Sequence, residues 1–342
     1  MLYRSSRTPG PSIPHILGRA GAWSAAALIL ALGAAGARAE APAVVTSIKP
    51  VHSLVAAVME GVGAPSLMVK GAASPHTYSL TPSDAEGLQQ AQFVFWIGED
   101  FERFLHKAIE TLPHGAVSVE LGEVQGLTVL PVREGGIWEE HAHESEDHEE
   151  HAEGEHAEGE AHDHEQEHGL HDGHLWLDPA NAKLMAAAVV EALSAADPAN
   201  ASVYRSNGDK LQGKLDSLDA EIASSLAPVK QTPFIVFHDA YQYFERRYGL
   251  NGVGSITVTP EQPPGAKRLF EIREKIIQRQ ARCVFREPNF EPALVDSVLA
   301  DTGARSGVLD PEGASLNEGP ELYFQLMRGL AESLKHCLSS SS

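Results

Sequence analysis

Histidine and carboxylate side chains crowd into one stretch of this 342-residue chain. His141, His143, His148, His151, His156, His162, His164, His168, His171 and His174 stand there among Glu and Asp, ten of the chain's 17 histidines. No Lys or Arg lies between Arg133 and Lys183. Imidazole is a leading protein ligand for zinc and its relatives, and carboxylates lower the local potential for any cation. The tract therefore attracts metal. With only Ile137, Trp138 and Leu170 as apolar anchors it is expected to be disordered, which does not hinder metal capture. A merely solubilising spacer would not need ten histidines. The tract ends in His174-Leu175-Trp176-Leu177-Asp178-Pro179, where apolar residues return and ordered structure must resume.

Three histidines stand where a strand gives way to a loop or helix. His76 follows Ser74-Pro75 after a strand, His174 precedes the Leu-Trp-Leu run, and His238 follows the apolar run Phe234-Ile235-Val236-Phe237. Open α/β sheets bind ligands outside the carboxyl ends of their strands. A lone histidine in such a place is more often a hydrogen-bonded structural residue, but three of them beside a His-rich tract point to a metal site. His52, near the start of the first helix, reads as a surface or capping histidine, with a weak second ligand as the alternative.

The elements that must position these residues alternate strand and helix, which predicts an α/β fold. Strands are expected at 44–48, 66–69, 93–97 and 117–119, with helices at 51–59, from Thr81-Pro82-Ser83-Asp84 onward, and at 101–111. Thr81 has the chemistry of an N-cap, with Pro82 at the first helical position. After the tract, Asp178-Pro179 opens a helix reaching about residue 196. Asp197-Pro198 opens another, which runs to about residue 226. About 30 residues at 1.5 Å each would give about 45 Å, enough to join two lobes. A second series follows: strands at 234–237, 254–258, 283–285 and 307–309, and helices at 241–248, 266–280, 292–301 and 321–338. The expected division is residues 1–39 as a signal peptide, 40–196 as a first α/β lobe with a His/Glu/Asp-rich loop at about 134–172, 197–228 as a linking helix, and 229–342 as a second α/β lobe.

The formal charge is −21. Residues 134–182 hold 17 acids and no base, which leaves −4 for the rest and no basic patch for nucleic acid. Arg4, Arg7 and Arg19, the apolar run over residues 20–37 and Ala37-Arg38-Ala39 together match a cleavable secretory signal. Once it is removed, no stretch is apolar enough to cross a bilayer. Cys283 and Cys337 are the only cysteines. In an exported chain they read as one disulfide, with a pair of buried thiols as the alternative, and no C-x-x-C spacing supports a redox or thiolate zinc site.

These residues carry a resemblance. The chain resembles the zinc-binding proteins of bacterial zinc ABC importers, within the metal-receptor cluster of solute-binding proteins, over essentially its whole mature length. The resemblance rests on Ser74-Pro75-His76-Thr77-Tyr78-Ser79-Leu80-Thr81-Pro82-Ser83-Asp84, on His174 to Pro179 as written above, and on Phe237-His238-Asp239-Ala240-Tyr241. It extends to Gln262-Pro263-Pro264-Gly265-Ala266, Cys283-Val284-Phe285-Arg286-Glu287-Pro288 and Leu309-Asp310-Pro311-Glu312-Gly313. It implies two α/β lobes joined by one long rigid helix, with zinc bound in the cleft between them by His76, His174 and His238. Manganese-binding relatives carry a carboxylate where His238 stands, and imidazole suits zinc better than manganese. Some zinc-binding relatives have Glu at the place of Ser74. Serine is a poor zinc ligand, so the fourth position falls to water or to Asp310. The resemblance also implies a Cys283–Cys337 disulfide. Glu287 and Asp239 are candidates for orienting an imidazole.

The expected function is a periplasmic monomer, not an enzyme, that captures Zn²⁺ and delivers it to an inner-membrane ABC permease. In this reading His141 to His171 act as a low-affinity collector. A periplasmic zinc buffer without a permease is one alternative. A secreted zinc hydrolase is another; it is disfavoured because the spacing H-E-x-x-H falls only inside the tract, at His164-Glu165-Gln166-Glu167-His168, where no helix is expected to present it.

Overall fold

Short apolar runs rich in Val, Ile and Phe form two sheets. The computed structural model describes residues 41–133, 171–257, 264–288, 290 and 292–339, and positions 1, 8 and 10. The signal segment (those three positions apart), the tract histidines from His141 to His168, and Gln262-Pro263 lie outside the described residues. Val44–Thr46 (β1), Ser66–Leu67 (β2), Phe93–Trp96 (β3) and Val117–Glu120 (β4) pair in the order β2-β1-β3-β4. Phe234–His238 (β5), Gly252–Thr257 (β6), Cys283–Arg286 (β7) and Arg305–Val308 (β8) pair in the order β6-β5-β7-β8. Every pairing is parallel. β1, β3 and β5 are buried along their whole lengths, as parallel strands covered on both faces must be.

The two sheets share one topology. Each begins on an inner strand, adds a neighbour on one side, then crosses to the other. A switch point therefore falls between β1 and β3 in the first sheet and between β5 and β7 in the second.

The helices are Lys49–Met59 (α1), Pro82–Gln90 (α2), His106–Glu110 (α3), Pro179–Ala196 (α4), Ala201–Leu226 (α5), Gln242–Tyr248 (α6), Ala266–Gln278 (α7), Pro292–Leu299 (α8) and Leu322–Leu338 (α9). α2 opens on a full capping box between Thr81 and Asp84. At α4 the Asp178 carboxylate caps the first turn by accepting from the Ala180 amide at 2.8 Å. α3 is shorter than the expected 101–111, because Glu102 folds back to accept from the amides of Ile97 and Gly98 at 2.7 and 3.1 Å. α5 begins later than Asp197-Pro198 suggests. The Asp197 carboxylate is engaged by the side chains of Asn200 and Tyr204, which closes a separate turn ahead of the helix.

α5 has 26 residues, about 39 Å. It buries Tyr204 and, two turns on, Leu211, Leu215, Leu218, Ile222 and Leu226, the last five spaced three and four apart. It packs against α1 and α4, which precede it in the chain, and α9 at the chain's end. Gly208 makes the α4 contact possible: a Cβ there would lie 2.6 Å from Val190 Cγ2. The helix expected to tie two lobes by itself is thus one member of a helical layer on which both sheets rest. One hydrophobic cluster runs from Val44 through this layer to Phe285 and Leu338. Cys283 at the start of β7 and Cys337 in α9 form a disulfide, with Cα atoms 6.2 Å apart. The described residues from 41 onward form one compact unit. No helix among the described residues is long and apolar enough to cross a membrane.

Candidate metal centre

The fold brings His76, His174 and His238 together from three unconnected segments. One ligand atom from each lies within 4.8 Å of the others, and no other such group of His, Cys, Asp or Glu occurs among the described residues.

His238 is the last residue of β5, and Glu287 immediately follows β7, the neighbouring strand across the switch point. Sheet topology alone therefore places them side by side. His238 Nδ1 lies 2.6 Å from Glu287 Oε1, and the buried Tyr241 hydroxyl donates to the same oxygen at 3.2 Å. His174 is held by Asp172, whose Oδ1 accepts from both the His174 amide (3.0 Å) and Nδ1 (2.8 Å). The Tyr243 hydroxyl and Gln242 amide from α6 fix Asp172 in turn. Gly173 between them has no room for a side chain, since a Cβ would lie 2.7 Å from Phe101. His76 rides on the loop after β2. Tyr78 pins that loop by donating to Asp84 Oδ2 at 2.9 Å, so the N-cap of α2 also anchors the metal loop.

A carboxylate beside Nδ1 of His174 and of His238 keeps the proton there and leaves Nε2 unprotonated. The Nε2 atoms of His174 and His238 then face each other at 3.4 Å. Two lone pairs at that distance repel unless a cation joins them. Tetrahedral zinc with Zn–N of about 2.05 Å would separate two ligand nitrogens by about 3.3 Å. His76 Nε2 is buried and has no hydrogen-bond partner among the described residues, which is unfavourable for a polar atom without an ion to meet. Burial and the neighbouring imidazoles push His76 and His174 well below the ordinary histidine range, so both are neutral donors at pH 7. Burial raises Asp172 to about 6, below neutrality, so at pH 7 it still accepts as a carboxylate. Phe101 packs edge-on against His76 and His174, and Trp176 packs on both Phe101 and His174, covering the cluster with apolar rings.

Ser74, Glu287, Asp310, Pro311 and Glu312 line the small cavity beside His76 and His238. Asp310 is not in the ligand group; its Oδ1 accepts from the amides of Glu312 and Gly313 at 3.2 and 2.8 Å. Asp239 does not orient an imidazole. It pairs with Arg133, whose Nε lies 3.0 and 2.9 Å from its two oxygens, while Arg133 Nη1 reaches Glu245 at 2.6 Å. His52 is neither on the surface nor a ligand: it is buried and its Nε2 lies 3.3 Å from the Pro65 carbonyl. His171 bridges to Pro131 as an antiparallel pair and sits near Asp100. The sequence pattern gave no reason to single out Asp172. Its signal is the Asp-x-His spacing, hidden in a stretch where every acid looks alike.

Residues 44–337 match the family described as the periplasmic zinc-uptake complex component A. The high-affinity zinc uptake system protein ZnuA of Brucella suis biovar 1 (strain 1330) is 54% identical over 309 residues, 88% of this chain and 92% of that protein. Its counterpart in Yersinia pestis is 36% identical over 296 residues, 86% and 91% of the two chains. Among solved structures, the periplasmic zinc-binding protein TroA of Treponema pallidum superposes with a TM-score of 0.68 at 21% identity, over 88% of this chain and 100% of that one. At that identity the likeness speaks for the fold.

Proposed function

We propose, since the chain belongs to the family of periplasmic zinc-uptake complex A components, that His76, His174 and His238 are the ligands of captured Zn²⁺. The protein is the zinc-binding receptor of a high-affinity zinc uptake system. The observation that carries the ligand assignment is the pair of Nε2 atoms 3.4 Å apart, each imidazole backed by a buried carboxylate. Zinc is the cargo here. Three neutral imidazoles without thiolate hold it firmly and still allow its release, and binding falls as the ligands take up protons. The fourth position goes to water, because Asp310 is engaged by its own turn and stands outside the ligand group.

The receptor works as a monomer in the periplasm after loss of residues 1–39, and hands zinc to an inner-membrane ABC permease. It performs no bond chemistry. The tract histidines from His141 to His171 collect zinc weakly and raise its local concentration near the cleft.

Chelator competition on protein lacking residues 139–170 tests this reading. His171 is retained because it pairs with Pro131. One tight zinc site is expected, weakened at least about a hundredfold by His238→Ala. Loss of tight binding on deletion of the tract alone would refute the three-histidine site.

A further inference from the structure

Lys49 is a charged residue in an expensive place. It is the first residue of α1, where the positive end of the helix dipole opposes a cation, and it is only 5% exposed. Burial lowers its affinity for the proton, and the distant carboxylates of Asp310, Glu318 and Glu312 only partly offset this. Its ammonium donates to three main-chain carbonyls: Gly313 at 2.9 Å, Ala314 at 2.8 Å and Leu316 at 3.1 Å. Three donors meet three acceptors in one direction, so the group is fully satisfied. All three acceptors lie more than 260 positions away in the sequence, on the loop that follows β8.

That loop begins with Asp310-Pro311-Glu312, which lines the cavity beside His76 and His238. The Asp310 carboxylate folds it into a turn by accepting from Glu312 and Gly313. Trp176, already packed on His174, donates its indole N–H to Pro311 O at 2.9 Å. The turn is thus gripped at one end by Trp176 and at the other by Lys49, both from segments that precede α4 in the chain. An apolar residue at position 49 would avoid the desolvation of a charge and the opposition of the dipole.

We infer that Lys49 is a positioning residue for zinc retention: by gathering the carbonyls of Gly313, Ala314 and Leu316 it holds the Asp310–Gly313 turn as a wall of the metal cavity. Zinc leaves as incoming water or another donor replaces its imidazoles. A wall fixed across the cavity limits that access, and a loosened wall admits it. The inference rests on the three-histidine reading but does not require Asp310 to be a ligand.

The test loads the exported protein with one equivalent of zinc and follows release into excess chelator, alongside the association rate. K49M keeps the side-chain length and removes the donors. It should release zinc about tenfold faster, with association unchanged within about threefold. D310A loosens the same turn from within, so the K49M and D310A effects should be non-additive, and K49R, which restores donors, should recover part of the slow release. Release from K49M at the wild-type rate, even with a lowered melting temperature, would overturn the inference. So would strict additivity with D310A. If K49M does not fold, K49Q, which keeps a single amide, carries the same comparison. The underlying reading fails separately, if the unsubstituted protein shows no zinc whose retention depends on His238.

Discussion

Asp172 and Glu287 do comparable work at two histidines, yet only one of them stood out in the sequence. Glu287 follows a strand in a distinctive Arg-Glu-Pro run, whereas Asp172 is one of 17 acids between residues 134 and 182. His76, His174 and His238 stood out because each stands where a strand gives way to a loop or helix. Asp239 misled, because adjacency to a ligand does not place a side chain beside that ligand's ring. Arg133, 106 positions away, claims it instead. Asp172→Asn keeps the shape of the side chain, but a neutral amide can present an N–H rather than an oxygen to His174 Nδ1, which favours the tautomer with its proton on Nε2. Zinc affinity should fall about 10- to 100-fold while the melting temperature of the zinc-free protein stays close to that of the unsubstituted protein. Competition titration and thermal melts check both halves, and an unchanged affinity would remove Asp172 from the site.

At the scale of elements, period and capping chemistry pointed to each strand and α-helix of the described residues, because buried parallel strands such as β3 and β5 read as apolar runs and Thr81 and Asp178 mark helix starts, whereas the short 3-10 turns at Leu121–Glu123 and Leu175–Leu177 left no such signal. Boundaries slipped where a side chain closes a turn just ahead of the helix. Glu102 is the clearest case. Its carboxyl is fully buried, closes the turn between β3 and α3, and is raised to about 7 by burial, against the donated hydrogen bonds that lower it. A raised carboxyl pKa contributes stability that is present in full below the unfolded value of about 4.5 and is lost as pH rises through about 7. Glu102→Gln removes the ionisation. The melting temperature of the variant relative to the parent should therefore be near level at pH 4 and rise between about pH 4.5 and 7, by the equivalent of about 3 kcal/mol. A difference that does not vary with pH would mean that Glu102 stays ionised, or stays protonated, throughout.

For the whole molecule, sequence pattern pointed to two lobes and a link but not to how tightly they are joined. Pairings between distant helix faces leave no local trace, and Gly208 reads in sequence as a weak point in a long helix rather than as the point where α4 and α5 close together. The consequence is thermodynamic. α1 packs on the first sheet and α9 on the second, α4 and α5 pack with them in one helical layer, the main hydrophobic cluster is continuous through that layer, and a disulfide fixes α9 to the second sheet. Two lobes tied by a single helix would melt as two units, with zinc acting on whichever lobe held more of its ligands. A shared core instead predicts one calorimetric transition, with calorimetric and van't Hoff enthalpies in agreement. Because His76 and His174 come from one side of that core and His238 from the other, zinc should shift the entire transition without splitting it. The stabilisation should be about 4 kcal/mol when free zinc is a thousand times the dissociation constant. Scanning calorimetry of the zinc-free and zinc-loaded protein decides the matter. Two resolved peaks in the zinc-free protein, merging only when zinc is added, would show that the metal rather than the helical layer makes the molecule one cooperative unit.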